Sequence, residues 1–103
     1  MNTLIQGNPW VWVVVQDPGR NEQFLGQHDE ERDELFIPTF LEKEEALKCL
    51  NLLSKEKGHT YEVQAIQYED LARRAAENGF MLFVLNGEGE VLEKIKNLKN
   101  SLN

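Results

Sequence analysis

The stretch that most constrains the fold is Pro9–Pro18, which reads PWVWVVVQDP. Six of the seven residues from Trp10 to Gln16 are apolar, and four of these are valines. Branched and aromatic side chains favour extended backbone, and a membrane-spanning helix needs about 20 apolar residues. The run is bounded by proline and by a Pro-Gly step, which is typical of turns. We therefore predict a β-strand over Trp10–Gln16.

Both faces of this predicted strand are apolar. Alternate residues of a strand point to opposite sides, so Trp10, Trp12 and Val14 share one face and the three remaining valines share the other. A strand without a polar face is typical of the centre of a sheet that is covered on both sides. The alternative is that one face stays open as an apolar patch.

Composition and charge limit the classes of function. The 103 residues, 41% of them hydrophobic, suit a single domain with its own core. The net charge of −7 argues against nucleic acid and against anionic membranes as partners, because both bind clustered Lys and Arg. A single cysteine excludes an internal disulfide, and Met1–Asn8 lacks the pattern of a secretion signal. We expect a cytoplasmic protein with a loose segment at residues 1–8 and one domain at residues 9–103.

Periodicity along the chain predicts the order β-β-β-α-β-α-β-α. The later strands are predicted at Gln23–His28, Leu35–Phe40, Thr60–Gln67 and Phe80–Leu85. The helices are predicted from a capping box at Thr39–Glu42 to about Lys57, over Tyr68–Asn78 and over Val91–Leu102. An alternative for the last segment pairs Glu90–Glu93 with Phe80–Leu85 as a hairpin, followed by a shorter helix.

Three strands before the first helix exclude a repeating βαβ chain. We expect an α+β domain with a mixed sheet of about five strands and with the helices packed mainly on one face. Strands connected by a helix are expected to be parallel neighbours.

Most residues that suggest chemistry have a simpler structural explanation. Cys49 falls on the apolar stripe of the first predicted helix, which favours a small core residue over a nucleophile. His28 and the acidic run Asp29–Glu34 lack the spacing and the glycine of a calcium loop, so we expect a solvated hairpin tip. Asn86–Gly89 lacks the lysine and the hydroxyl of a phosphate loop. We therefore expect no catalytic residue, no cofactor, no metal and no enzyme activity.

Two stretches, LFIPTFLEKEEAL and GFMLFVLNGEGEV, resemble the SseB-like N-terminal domain. In that family a strand ending in a P-x-F step leads into an acidic helix, and a later strand ends in an Asn-Pro or Asn-Gly turn. The matching residues are Pro38-Thr39-Phe40 with Glu42, Glu44 and Glu45, and Val84-Leu85-Asn86-Gly87. The resemblance covers residues 9–91 in element order. It implies an α+β fold with a regulatory or binding role, and it supplies no catalytic residues.

The leading functional hypothesis is a non-enzymatic protein-interaction or regulatory module. Tryptophan is enriched at the energetic centres of interfaces, so Trp10 and Trp12 are the first candidates for binding a protein partner or for forming a homodimer. Burial of the same pair in the core is equally compatible with the sequence. The further partner-binding candidates are the acids of the predicted hairpin tip, namely Asp29, Glu30, Glu31, Asp33 and Glu34.

The alternative function is a small-molecule sensor or a small enzyme. Its pocket would lie at the strand ends near Asn86–Glu88. The available polar groups there are Glu88, Tyr68 and His59, and their spacing indicates no acid–base arrangement.

Overall fold

The computed structural model describes residues 4–96, which form seven strands and two helices. The elements in chain order are β1 Trp10–Gln16, β2 Gln23–Phe24, β3 Gln27–Asp29, β4 Glu34–Thr39, α1 Lys43–Cys49, β5 Tyr61–Gln67, α2 Tyr68–Glu77, β6 Met81–Leu85 and β7 Val91–Ile95. A single 3₁₀ turn, Leu50–Leu52, follows α1. The α+β class predicted from the sequence is confirmed.

The strands form two sheets that meet where β1 passes the end of β4. One sheet is antiparallel with the order β2-β1-β5, and the other has the order β3-β4-β6-β7 with β4 and β6 parallel. Trp12 and Phe40 exchange two backbone hydrogen bonds of 2.8 and 2.9 Å, which join the sheets. The line β5-β1-β4-β6-β7 is thus a mixed array of five strands, which roughly matches the predicted mixed sheet, although the strands are divided between two sheets.

The strands connected by helices are not neighbours, contrary to the sequence-based expectation. β4 and β5, joined through α1, lie in different sheets, and so do β5 and β6, joined through α2. β5 instead pairs antiparallel with β1 along its full length. Apolar and polar residues alternate along β5, which is typical of a strand with one solvated face. In this sheet β5 is therefore the edge strand and β1 is the central strand.

The segment formed by β2 and β3 changes its pairing partner at Gly26. Phe24 pairs with β1, whereas Gln27 pairs with β4. A Cβ atom at Gly26 would lie 2.6 Å from Cε1 of Phe80, so a side chain at this position requires the Phe80 ring to shift. The single strand predicted over Gln23–His28 is therefore wrong. The segment forms two short strands, β2 in the first sheet and β3 in the second, and the chain passes between the sheets at Gly26.

We expect Gly26→Ala to lower the free energy of unfolding by about 1–2 kcal/mol, because the Phe80 ring must shift. Urea unfolding measures this cost. The matched control is the same substitution in a Phe80→Ala background, where the obstructing ring is absent and the cost should disappear. A cost that persists in that background contradicts the packing explanation.

The two helices cover opposite faces of β1, so the expectation that they pack mainly on one face is wrong. The α2 side contains alternate valines of β1 and two buried residues of α2, namely Val11, Val13, Val15, Leu71 and Ala75. The α1 side contains two buried residues of α1, two of β6 and the bridge residue that follows β4, namely Ala46, Cys49, Phe83, Leu85 and Phe40. A strand that is apolar on both faces requires cover on both.

α1 begins later than the sequence indicates. Thr39 is the last residue of β4 and is fully buried, and its hydroxyl donates to the carbonyl of Ile37 at 3.1 Å. The residue at the helix N-terminus is Glu42, whose side chain makes no capping hydrogen bond. The predicted capping box is therefore wrong, because Phe40 is still held in extended backbone by its pairing with Trp12.

The chain after β6 forms a hairpin. Val91–Ile95 pairs antiparallel with β6, so the predicted terminal helix is wrong for these residues and the alternative hairpin is confirmed. The side-chain oxygen of Asn86 accepts the backbone N–H groups of Glu88 and Glu90 at 3.0 and 2.9 Å, which holds the turn closed. The rest of the predicted helix, residues 97–103 with Leu98 and Leu102, lies outside the described residues.

Residues 4–8 contain no helix or strand but are packed on the domain. Ile5 is 4% exposed and belongs to the core on the α2 side. The Leu4 backbone N–H donates to Glu93 at 3.1 Å, and the Asn8 side chain accepts the N–H of Glu69 at 2.8 Å. This part of the predicted loose segment therefore belongs with the core.

Candidate interaction surface

The first half of β1 has one face that α1 leaves open. Trp10 is 62% exposed there, and Trp12 is half-buried. Their direct partners across the pair of strands, Gln67 and Ala65, are also exposed. We call the surface formed by Trp10, Trp12 and Ala65 the tryptophan face. It corresponds to the alternative predicted from the sequence, in which one face of the first strand stays open as an apolar patch.

The two tryptophans differ in their surroundings. Trp12 packs against the group of buried residues around Phe40, and the ammonium of Lys43 lies 5.6 Å from its ring centroid. A cation at this distance is attracted by the negative face of the ring. Trp10 lies outside both clusters of buried residues. Trp12 thus belongs partly to the core, whereas most of Trp10 faces solvent.

The outer edge of β5 borders the tryptophan face. Hydrogen bonds of 2.8 Å from the N–H of Asp17 to Thr60 and from the N–H of Tyr68 to Pro9 flank the β1–β5 pairing. In an antiparallel pair, hydrogen-bonded and non-bonded positions alternate. The residues whose backbone N–H and C=O groups point away from β1 are therefore Tyr61, Val63, Ala65 and Gln67. Within residues 4–96, β5 has a strand neighbour on one side only.

The acidic run forms the hairpin tip that the sequence predicts. Asp29 ends β3 and Glu34 begins β4. The backbone N–H groups of Glu31 and Arg32 donate to the Asp29 carboxylate at 3.1 and 3.4 Å, and Asp33 has a positive φ of 53°. These contacts are typical of a turn stabilised by an aspartate side chain.

The acidic tip lies away from the tryptophan face. Several of its carboxylates already have partners: Asp33 contacts His28 at 2.8 Å, and Glu34 contacts Lys94 at 3.1 Å. The tip lies at the start of β4, whereas Trp12 pairs just beyond the end of that strand, a separation of roughly 20 Å along the chain. The structure does not bring the two sets of predicted partner-binding residues together.

The turn Asn86–Gly89 packs closely on α1. The N–H of Gly87 donates to Glu45 at 2.8 Å, and a Cβ atom at Gly87 would lie 2.8 Å from Cδ of Lys48. Two surface grooves of about 570 and 640 Å³ run along α2, and neither is lined by Asn86–Glu88 or by His59. Tyr68 lines the larger groove. The residues named for a small-molecule pocket therefore lie at separate places.

His59 has a partner that sequence reasoning missed. Its Nδ1 lies 2.7 Å from Oδ2 of Asp17, whose other oxygen accepts the N–H of Thr60 at 3.1 Å. The hydrogen bonds from His59 and then from Thr60 hold the pKa of the Asp17 carboxyl below its ordinary value. Asp17 and His59 lie in loops that are 42 residues apart in sequence, so no local sequence pattern predicts their contact. The contact ties the end of β1 to the start of β5.

Cys49 occupies the core position predicted for it. The side chain is fully buried, and burial raises the pKa of its thiol. In the described part of the chain, no three His, Cys, Asp or Glu side chains are grouped as metal ligands. Neither helix between residues 4 and 96 has the length and apolar character needed to cross a membrane.

Comparison of the chain with protein-family models, with curated proteins and with solved structures gives no match.

Proposed function

We propose that the protein is a non-enzymatic interaction module that binds a protein partner through the tryptophan face. The observation that carries this proposal is the 62% exposure of Trp10 beside the half-buried Trp12. Exposed apolar patches mark interaction sites, and tryptophan is enriched among the residues that contribute most to binding. Ala65 continues the surface as far as the outer edge of β5.

The acidic tip is not included in the proposed surface. Its distance from Trp12 and the internal contacts of Asp33 and Glu34 favour a structural role in the β3–β4 turn. Glu30 and Glu31 remain exposed and add to the net charge of −7. A charge of this size keeps a small domain soluble.

The resemblance to the SseB-like N-terminal domain belongs to the same proposal. The regulatory or binding role that it implies is compatible with an open aromatic surface. A cytoplasmic location is likewise proposed, because a chain with a single cysteine has no internal disulfide, and disulfides are rare in the reducing cytoplasm.

We expect Trp10→Ala to weaken partner binding by roughly 30-fold, the size of effect at an interface hot spot. The free energy of unfolding should change by no more than about 0.5 kcal/mol, since the side chain is mostly in solvent. Light scattering over a dilution series measures self-association, and affinity capture followed by mass spectrometry measures binding to another protein.

The matched control is Leu52→Ala, which removes an apolar side chain of the same 62% exposure on the 3₁₀ turn. This variant should bind like the unchanged protein. The proposal is contradicted if Trp10→Ala self-associates as strongly as the unchanged protein and also captures the same proteins to the same extent.

A further inference from the structure

We propose that the partner is a second copy of this chain, and that the two copies pair antiparallel along the outer edges of their β5 strands. This inference rests on the proposed function and adds to it the identity of the partner and the contact. The two sheets would become one continuous sheet around a two-fold axis. Such an interface uses the same surface of both copies.

The backbone of β5 supplies the hydrogen-bond donors and acceptors for this pairing. The N–H and C=O groups of Tyr61, Val63, Ala65 and Gln67 point outward from the β1–β5 ladder, and those of Val63 and Ala65 make no hydrogen bond within residues 4–96. Gln67 directly precedes α2, and its C=O group is in the position that accepts the first hydrogen bond of that helix. The strand has seven residues without proline or glycine. An extended edge of this kind is a template for pairing with another strand.

The length of β5 selects one register. Gln64 is the midpoint of Tyr61–Gln67. With the two-fold axis at Gln64, Tyr61 of one copy lies opposite Gln67 of the other, and Val63 lies opposite Ala65, so each outward residue faces another outward residue. A shift of the axis by one residue in either direction leaves an outward residue at one end of each strand unpaired.

Side-chain chemistry is compatible with this register. Glu62 faces Ile66 of the other copy, and Gln64 faces Gln64, so no two like charges are directly opposite. Each copy nevertheless carries a net charge of −7. Salt screens such repulsion, and we therefore expect the dimer to become stronger when the salt concentration is raised.

The pairing is continuous with the tryptophan face. The two-fold axis is perpendicular to the sheet, so the tryptophan faces of both copies lie on the same side. Ala65 then lies between Trp12 of its own β1 and Val63 of the other copy. The surface around Trp10 and Trp12 becomes part of a larger apolar area shared by the two chains.

The test is disulfide crosslinking of Gln64→Cys under mild oxidation. Gln64 meets its own equivalent at a non-hydrogen-bonded position, where Cα atoms are about 4.5 Å apart, within the range that a disulfide spans. The matched control is Glu62→Cys on the same face. Its equivalents would lie roughly 13 Å apart along the strand, which is too far for a bond. The native Cys49 is fully buried and is present in both variants, so it does not distinguish them.

We expect at least about tenfold more crosslinked dimer from Gln64→Cys than from Glu62→Cys. Equal crosslinking of the two variants, or crosslinking of neither, overturns the inference. If neither crosslinks while Trp10→Ala still weakens capture of a different protein, the inference fails and the proposed function stands. If Gln64→Cys crosslinks but Trp10→Ala associates normally, the β5 contact stands and the role of the tryptophan face fails.

Discussion

A chain carrying Phe40→Ala should lose about 3–5 kcal/mol of its free energy of unfolding. Phe40 is fully buried, and its backbone forms the bridge to Trp12 that joins the two sheets. Removal of the ring leaves a cavity where α1 packs against that junction. Because small domains have only about 5–15 kcal/mol of stability, the variant should be partly unfolded in modest denaturant.

Urea unfolding followed by tryptophan fluorescence measures the loss, with Trp12 as a reporter directly beside the substituted residue. The control is Phe40→Leu, which keeps most of the volume and should cost less than about 1.5 kcal/mol. If Phe40→Ala costs no more than Phe40→Leu, the junction between the sheets is not a packed part of the core.

Trp12→Ala should lower the free energy of unfolding by about 2–4 kcal/mol, somewhat less than for a fully buried aromatic residue. Trp12 packs on the group around Phe40 and lies under the ammonium of Lys43. The neighbouring Trp10 makes no comparable contact, so Trp10→Ala is the matched comparison and should be nearly neutral for stability.

Thermal and urea unfolding of the two variants, measured side by side, separate core from surface. A large loss for Trp12→Ala alone fits the structure. Equal losses for both variants contradict the assignment of Trp10 to the surface. Because Trp12→Ala disturbs the core, its effect on binding is informative only at temperatures where the variant remains folded.

The sequence predicts the elements of this fold better than their arrangement. β1 has the predicted bounds, since its bulky apolar residues end at turn residues on both sides. α2 ends where Gly79 indicates: this glycine has a φ of 79°, and the N–H groups of Gly79 and Phe80 donate to Ala76 and Ala75. Such signals are local, and a single sequence contains them.

The arrangement depends on contacts between distant residues. Neither the bridge from Phe40 to Trp12, which displaces the predicted helix start, nor the ring of Phe80 against Gly26 follows from a local pattern. In the candidate surface, alternation correctly placed Trp10 and Trp12 on one face. How much of each ring is exposed depends on the position of α1, which the sequence does not indicate.

The antiparallel pairing of β1 with β5 also has a consequence during synthesis. β1 leaves the ribosome first, while its full-length neighbour follows only after β2, β3, β4 and α1 have been made. At about 5–20 residues per second, this interval lasts a few seconds. During it, the edge of β1 that later pairs with β5 has no strand neighbour. An unpaired strand edge of tryptophans and valines is a site at which other chains can attach, so we expect β1 to be exposed to aggregation until β5 has been made.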